Sequence, residues 1–289
     1  MKKIFIYFYL ILISSFLFYP FLFIFIGSFA TVDDYYCTRL LPLPRCPTLT
    51  AYRVVLQPTL LLALHITLLR VIWYVCLALL TTLMGGYVFS RLHFPGKQML
   101  LMFFLGGLAI PPILTCLPVY IMLAHWPLAG GNNLWGQGGH GLVNEWPVLF
   151  ILGVVDAFGL FLLKQNYDMF PFEYEEAAIM DGSGFFTTIF CIYAPMLKPA
   201  LSAIAIVAFV TTWNDYFYPF LFVSGNEQLV PIALRVQKMI QGMSSWGSVT
   251  TTPFPTLFAA ATLMCLPPIL LYVALQRFFV QGLVGIGIR

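Results

Sequence analysis

Charge is scarce in this chain: Asp, Glu, Lys and Arg make up only 9% of its 289 residues, against about a quarter of a soluble domain. With 61% hydrophobic residues, 28 phenylalanines and a mean hydropathy of +0.91, a water-soluble globular protein is excluded. No GxxxxGK[ST] stretch exists to cradle nucleotide phosphates. The four histidines, His65, His93, His125 and His140, show no metal-ligand spacing and read as interfacial or loop residues. No nucleophile sits near a base in a catalytic pattern, and linkers, low-complexity tracts and short repeats are missing too. A net charge of +3, diluted over so apolar a chain, offers nothing to nucleic acid.

What the chain does have is long apolar runs. Backbone polar groups cannot stay unpaired in hydrocarbon, which leaves helices or a closed barrel, and these runs are too long and unalternating for barrel strands. The expectation is an all-α membrane protein, one domain over residues 1–289, with six transmembrane helices near 4–29, 60–89, 99–124, 146–164, 200–223 and 255–278. The first span follows Met1-Lys2-Lys3, but its apolar run exceeds a cleaved signal's roughly 7–15 residues, so it reads as a retained anchor. With both termini in the cytoplasm, the inside receives eight cations (Lys2, Lys3, Arg91, Lys97, Lys164, Lys198, Arg277, Arg289) and the outside five (Arg39, Arg45, Arg53, Arg235, Lys238). That asymmetry favours this orientation.

Cys76, Cys116, Cys191 and Cys265 lie in or beside apolar spans and read as small packing residues. Cys37 and Cys46 share the first outer loop with eight residues between them, which allows a disulfide if that face is oxidising. The middle outer loop, HWPLAGGNNLWGQGGHGLVNE, is rich enough in Gly and Asn to be all turns.

The scarce carboxylates are not spread evenly. Four of the eleven, Glu173, Glu175, Glu176 and Asp181, fall within nine positions of the inner loop 165–199. Pro171 suits the first turn of a helix whose positive end the glutamates would occupy. Asp181-Gly182-Ser183-Gly184 would stop it, with Ser183 capping a second helix that ends before Pro195. Such a cluster could simply solvate the loop. The interleaved Ala177, Ala178, Ile179 and Met180 give instead a small, partly greasy face suited to docking in another protein's groove.

Ionisable groups within spans are expensive and default to functional candidates. Asp156, Asp215 and Arg70 qualify: either Arg70 snorkels or pairs structurally with an aspartate, or the aspartates line a polar path. Trp213, Tyr216 and Tyr218 could stack on a sugar face or pack in the bundle.

Glu176-Ala177-Ala178, three residues, Gly182, nine residues, Ile192, one residue, Ala194-Pro195 resembles the EAA loop of ABC importer permeases, whose usual ending is Leu-Pro. Tyr87-Val88-Phe89-Ser90-Arg91-Leu92-His93-Phe94-Pro95-Gly96-Lys97, Ala157-Phe158-Gly159, Trp213-Asn214-Asp215 and Gln276-Arg277-Phe278-Phe279-Val280-Gln281-Gly282-Leu283 resemble the carbohydrate class, in particular the second permease subunit of maltose-type systems. The two outer loops match less clearly, and the last residues Gly285-Ile286-Gly287-Ile288-Arg289 depart from the commonest family ending.

The resemblance implies a type I ABC importer permease fold in the cytoplasmic membrane. It also implies partners: a second homologous permease subunit, two ATPase subunits carrying ATP and Mg, and an external solute-binding protein. This chain would itself bind no cofactor or metal and catalyse nothing. Glu176, Ala177, Ala178, Asp181, Gly182 and Pro195 would form the coupling element, and Asn214, Asp215, Asp156, Trp213 and Arg70 the translocation path for a sugar-like solute. In maltose-type systems the sugar is held mainly by the other permease, so the solute site could lie largely outside this chain. Relatives also carry polyols and glycerol phosphate esters. A secondary ion-coupled transporter is the reading from another class; it wants inverted repeats and broken helices, of which Pro111-Pro112 is the one hint.

Overall fold

The structure is a computed structural model that describes residues 2–37, 42–151, 153, 156–244 and 253–284. Arg39 and the tail Gly285–Arg289, singled out above, lie outside the described residues. Among the described residues there are helices, turns and irregular segments, and no strand. The helices are α1 (Lys2–Gly27), α2 (Val32–Cys37), α3 (Thr50–Val55), α4 (Pro58–Arg91), α5 (Lys97–Leu108), α6 (Pro112–Ala124), α7 (Val148–Ile151), α8 (Ala157–Asp168), α9 (Glu173–Met180), α10 (Phe185–Thr187), α11 (Ala194–Met196), α12 (Lys198–Asn214), α13 (Phe217–Val223), α14 (Ile232–Ser244) and α15 (Phe254–Val284). A π-helical segment, Thr188–Tyr193, joins α10 to α11.

Among the described residues, three helices are long and apolar enough to cross a bilayer unaided: Lys3–Gly27, Pro58–Arg91 and Phe254–Gln276. The other expected spans are broken, each at a position where the backbone cannot continue. The 99–124 run is α5 and α6, bent by 103°, where Pro111 caps α6 and Pro112 opens it. The 146–164 run divides into α7 and α8. Gly153 has φ +80°, and Asp156 caps α8 by accepting from Phe158 N at 3.1 Å. The 200–223 run divides at extended Asp215 (ψ 109°). Pro219 lies in the first turn of α13, and its ring would meet the carbonyl four residues back, that of Asp215, had the helix run on.

The backbone groups into two compact units, residues 1–65 with 231–267 and residues 66–230 with 268–289. In the first, aromatic side chains hold the helices together. Phe23 meets Phe258 edge-on at 5.8 Å, Tyr35 stacks on Phe254 at 5.1 Å, and Ser28 Oγ and Tyr52 OH share a hydrogen bond of 2.7 Å. Cys37 and Cys46 are exposed free thiols, so the disulfide allowed by their spacing is not formed. Cys37 ends α2 and Cys46 sits in a bend, with both side chains turned outward.

The second unit has two buried clusters. One gathers Ile66, Leu123, Val148, Leu149, Phe222 and Leu229; the other gathers Leu83, Tyr87, Leu163, Tyr167, Ile189, Tyr193 and Ile204. Around the second, α4 and α8 approach closely because α4 carries Gly85-Gly86. A Cβ on Gly86 would lie 2.9 Å from Leu163 Cβ and 3.2 Å from Lys164 N, the close contact that small residues permit between membrane helices. The 125–145 loop is turns throughout, as its composition predicts. Asn132 braces it, donating to Ala124 O at 2.9 Å and Trp126 O at 3.0 Å while accepting from Gly139 N at 2.8 Å.

Candidate functional site

The carboxylate cluster sits on α9 and the turn after it. Phe172 caps this helix and Pro171 precedes the cap, two positions before the first helical residue, Glu173. Glu173, Glu175 and Glu176 fill the first turn, where the helix dipole favours negative charge. The far end closes as a Schellman turn. Ser183 N donates to Ala178 O at 2.9 Å and Gly182 N to Ile179 O at 2.9 Å, with Gly182 in the left-handed region at φ +80°. The next helix is capped at Gly184, not at Ser183, whose Oγ instead accepts from Thr188 Oγ1 at 3.2 Å.

That next helix does not end before Pro195. It continues through the π segment into α11, which contains Pro195, and then bends by 85° into α12. A π turn relieves the ladder bond that a proline cannot make. Pro199, in the first turn of α12, would meet the carbonyl of Pro195 in a straight helix, which places the bend.

The three glutamates face different ways. Glu176 and Glu173 are exposed, together with Phe172, Tyr174, Ala177, Ile179 and Met180; Met180 is 89% exposed. Ala178 is buried. Glu175, three residues before Ala178, also faces inward. It accepts from Tyr87 OH and from Tyr193 OH at 3.5 Å, and lies 3.7 Å from Arg91 Nε. Arg91 donates through Nη2 to Tyr167 O at 2.9 Å and Phe170 O at 2.8 Å, satisfying carbonyls at the end of α8, and its guanidinium lies 4.4 Å over the Phe172 ring. Its side chain is 2% exposed and that of Glu175 16%. Neighbouring residues of the Tyr87–Lys97 stretch do similar work: Lys97 Nζ donates to Ser90 O and Leu92 O at 3.1 and 2.9 Å, and Ser90 Oγ to Asp168 Oδ1 at 2.6 Å.

Burial raises the Asp168 carboxyl, but hydrogen bonds from Lys164 and Ser90 and the charges of Lys164 and Lys97 outweigh it and hold the pKa below the usual carboxylate value. A depressed folded pKa stabilises above the ordinary carboxylate range and is lost as pH falls through it. With the side chain 38% exposed, the effect is small and confined to strongly acidic pH.

The intramembrane candidates meet at one cavity of about 710 Å³, lined among others by Arg70, Asp156, Asn214 and Asp215, a size usual for small-molecule sites. Trp213 is not part of it: it is fully buried and stacks on Phe209 with rings 7° from parallel and 5.6 Å apart. Tyr74, Thr211 and Thr212, which hydropathy does not single out, line the cavity, as does Tyr218. Both aspartates sit at helix breaks. Asp156 caps α8, and Asp215 Oδ1 accepts from Tyr218 N at 3.3 Å in the first turn of α13. Arg70 bridges the two breaks. Its Nη2 pairs with Asp215 Oδ2 at 2.5 Å, and its Nε donates to Leu149 O at 3.3 Å, one of the carbonyls the four-residue α7 cannot satisfy.

Two groupings follow. Glu176, Ala177, Ala178, Asp181 and Gly182 form one helix and turn, with Pro195 farther along on α11. Arg70, Asp156, Asn214 and Asp215 form the cavity. Glu175, Arg91 and Tyr87 were not picked out as a unit. Eighty-four residues separate the ion pair in sequence, and the only local sign was the spacing of Glu175 from Ala178.

Substituting Gly182→Val is expected to destabilise the 165–199 segment by about 1–2 kcal/mol, the cost of a left-handed β-branched residue. Hydrogen exchange over 173–188 should quicken, while the cavity residues keep their protection.

No protein-family model matches the chain. The chain is 29% identical over 205 residues to the diacetylchitobiose uptake system permease protein NgcG of Streptomyces coelicolor, a match covering 70% of this chain and 61% of that protein. It is 27% identical over 209 residues to the lactose transport system permease protein LacG of Rhizobium radiobacter, covering 72% and 68%. It is also 27% identical over 281 residues to the polygalacturonan/rhamnogalacturonan transport system permease protein YtcP of Bacillus subtilis, covering 91% and 89%. The match to NgcG thus spans about three-fifths of that relative's length. Among solved structures, a bacterial ABC transporter involved in the import of the acidic polysaccharide alginate superposes with a TM-score of 0.80 at 19% identity, over 96% of both chains. In sequence the chain is therefore similar to permease proteins of saccharide uptake and transport systems, and it shares the fold of a chain of a bacterial ABC transporter.

Proposed function

We propose that the chain is the transmembrane permease subunit of an ATP-driven importer that moves a sugar or sugar-like solute across the cytoplasmic membrane, with both termini in the cytoplasm. The observation that carries this reading is α9. It presents Phe172, Tyr174, Ile179 and Met180 to the outside beside Glu173 and Glu176, while Arg91 and Glu175 fix its inner face to α4 and α8. An apolar helix face rimmed by carboxylates is shaped to enter a groove with basic edges. The partners are two ATPase subunits, which would hold ATP and Mg, a second homologous permease and an external solute-binding protein. Because α9 is tied to membrane helices at its back, movement of the ATPases would be passed to those helices as a rigid-body displacement.

The relatives named for diacetylchitobiose and lactose support a saccharide cargo, and the one named for polygalacturonan/rhamnogalacturonan leaves its charge to be decided. Arg70 is already paired with Asp215, which argues against glycerol phosphate esters, since a phosphate wants uncommitted cations. The helix breaks at Pro111-Pro112, Asp156 and Asp215 are features that a secondary ion-coupled transporter would share.

The test is co-purification of the tagged chain with a candidate partner ATPase. Met180→Asp with Glu176→Lys should abolish capture of the ATPase and leave the unfolding midpoint within a few degrees of wild type. A chain that purifies alone and moves solute into ATP-free liposomes down an ion gradient would overturn the importer reading.

A further inference from the structure

Beneath the permease reading lies the question of which saccharides the cavity admits, and its charge gives an answer. The guanidinium of Arg70 commits two of its three nitrogens. Nη2 is held by Asp215 and Nε by Leu149 O, whereas Nη1 is buried with no hydrogen-bond partner among the described residues. Its side chain is 9% exposed, so this is a costly vacancy for a buried donor. Arg70 lines the cavity, but Nη1 itself has almost no accessible surface, so the cavity meets the charge of Arg70 and not a free donor.

The second carboxylate is left over. Asp156 also lines the cavity; one of its oxygens caps α8, and no cation lies within ion-pair distance of it among the described residues. The second oxygen lies over Gly159, where a Cβ would come within 2.7 Å of it. One guanidinium against two carboxylates leaves the lining net negative, with Asp156 as the uncompensated charge.

We propose that this cavity is charge-selective: with one guanidinium against two carboxylates in its lining, Asp156 excludes acidic sugars, so the cargo is a neutral or amino saccharide rather than a uronate. The inference rests on the permease reading for the word cargo, but its charge asymmetry is a property of this chain alone. It separates chains that share a fold, since the same fold serves a transporter of an acidic polysaccharide.

The experiment needs no knowledge of the solute. A thiol is introduced by Thr211→Cys, at a lining position, in the full chain in nanodiscs. Its modification by a trimethylammonium-bearing and a sulfonate-bearing methanethiosulfonate is followed by mass spectrometry. Trypsin does not cut before Pro199, so the introduced thiol falls in the peptide 165–235 with Cys191 as its native cysteine, and carrying Cys191→Ser throughout makes the readout unambiguous. Relative to a free thiol in solution, the cationic reagent should be favoured about tenfold, as one unscreened charge at several ångströms predicts. Asp156→Asn, which keeps the helix cap because asparagine caps as well as aspartate, should remove that preference. Arg70→Gln should increase it. Equal rates in the starting protein, preference for the anion, or a ratio unmoved by Asp156→Asn would overturn the proposal. Failure to capture an ATPase would unseat the proposed function without altering this ratio, so the two can fail separately.

Discussion

Replacing Arg91 by methionine is expected to lower the unfolding midpoint of the detergent-solubilised chain by roughly 10 °C, and to open residues 165–199 to proteolysis before any membrane helix is cut. The reasoning starts from what Arg91 leaves behind. Glu175 would keep a largely buried carboxylate with only two tyrosine hydroxyls for partners, and Tyr167 O and Phe170 O would lose their common donor. Removing one partner from a buried ion pair costs about 3–5 kcal/mol, and each orphaned carbonyl adds about 1–3 kcal/mol where water cannot reach it. Methionine refills much of the volume, so the loss reads as charge and hydrogen bonding rather than a cavity. Glu175→Gln should be milder, since it keeps the tyrosine contacts as a neutral acceptor. The same Arg91 variant should also uncouple ATP hydrolysis from transport in the assembled complex, because α9 would no longer be tied to α4. A midpoint within a few degrees of wild type would show that the aromatic cluster of Tyr87, Tyr167 and Tyr193 holds the segment without its charges.

The sequence and the structure part company along a physical line. Hydropathy located the apolar runs because membrane insertion depends on summed transfer energies, which a window measures well. It could not see that three of those runs are broken, because a break follows from single backbone groups. Pro219 meeting the carbonyl of Asp215 and Pro112 opening a new helix were readable from proline's geometry; the break at Gly153 and Asp156 required a left-handed residue and a cap to act together. Gly182 was legible because a turn that needs positive φ selects glycine, and so was Glu176 on an exposed, partly apolar face of α9. Ser183 misled by one position, since a serine beside Gly184 caps only if its own backbone is extended, and here Gly184 takes that conformation. Glu175 was invisible for a different reason. Three glutamates in one turn look alike in a sequence, and only the position of Arg91 across the bundle tells which of them faces inward.

The second large effect concerns Arg70 and Asp215, and it takes the form of a double-mutant cycle. Arg70→Met and Asp215→Leu should each destabilise the chain by about 3–5 kcal/mol, because each strands its partner's charge in a side-chain environment 18% exposed or less. Together they should cost well below the sum, with a coupling of about 1–3 kcal/mol, since an apolar pair of similar size removes the desolvation penalty as well as the attraction. Recovery should not be complete. Arg70 also holds Leu149 O and Asp215 also caps the first turn of α13, and neither methionine nor leucine replaces those bonds. The double variant should therefore refold α12 and α13 while leaving α7 frayed, visible as hydrogen exchange that stays fast at 148–151. Additive losses in the cycle would instead mean that the two residues act independently, Arg70 through α7 and Asp215 through its cap, and that the ion pair between the two broken helices contributes nothing of its own.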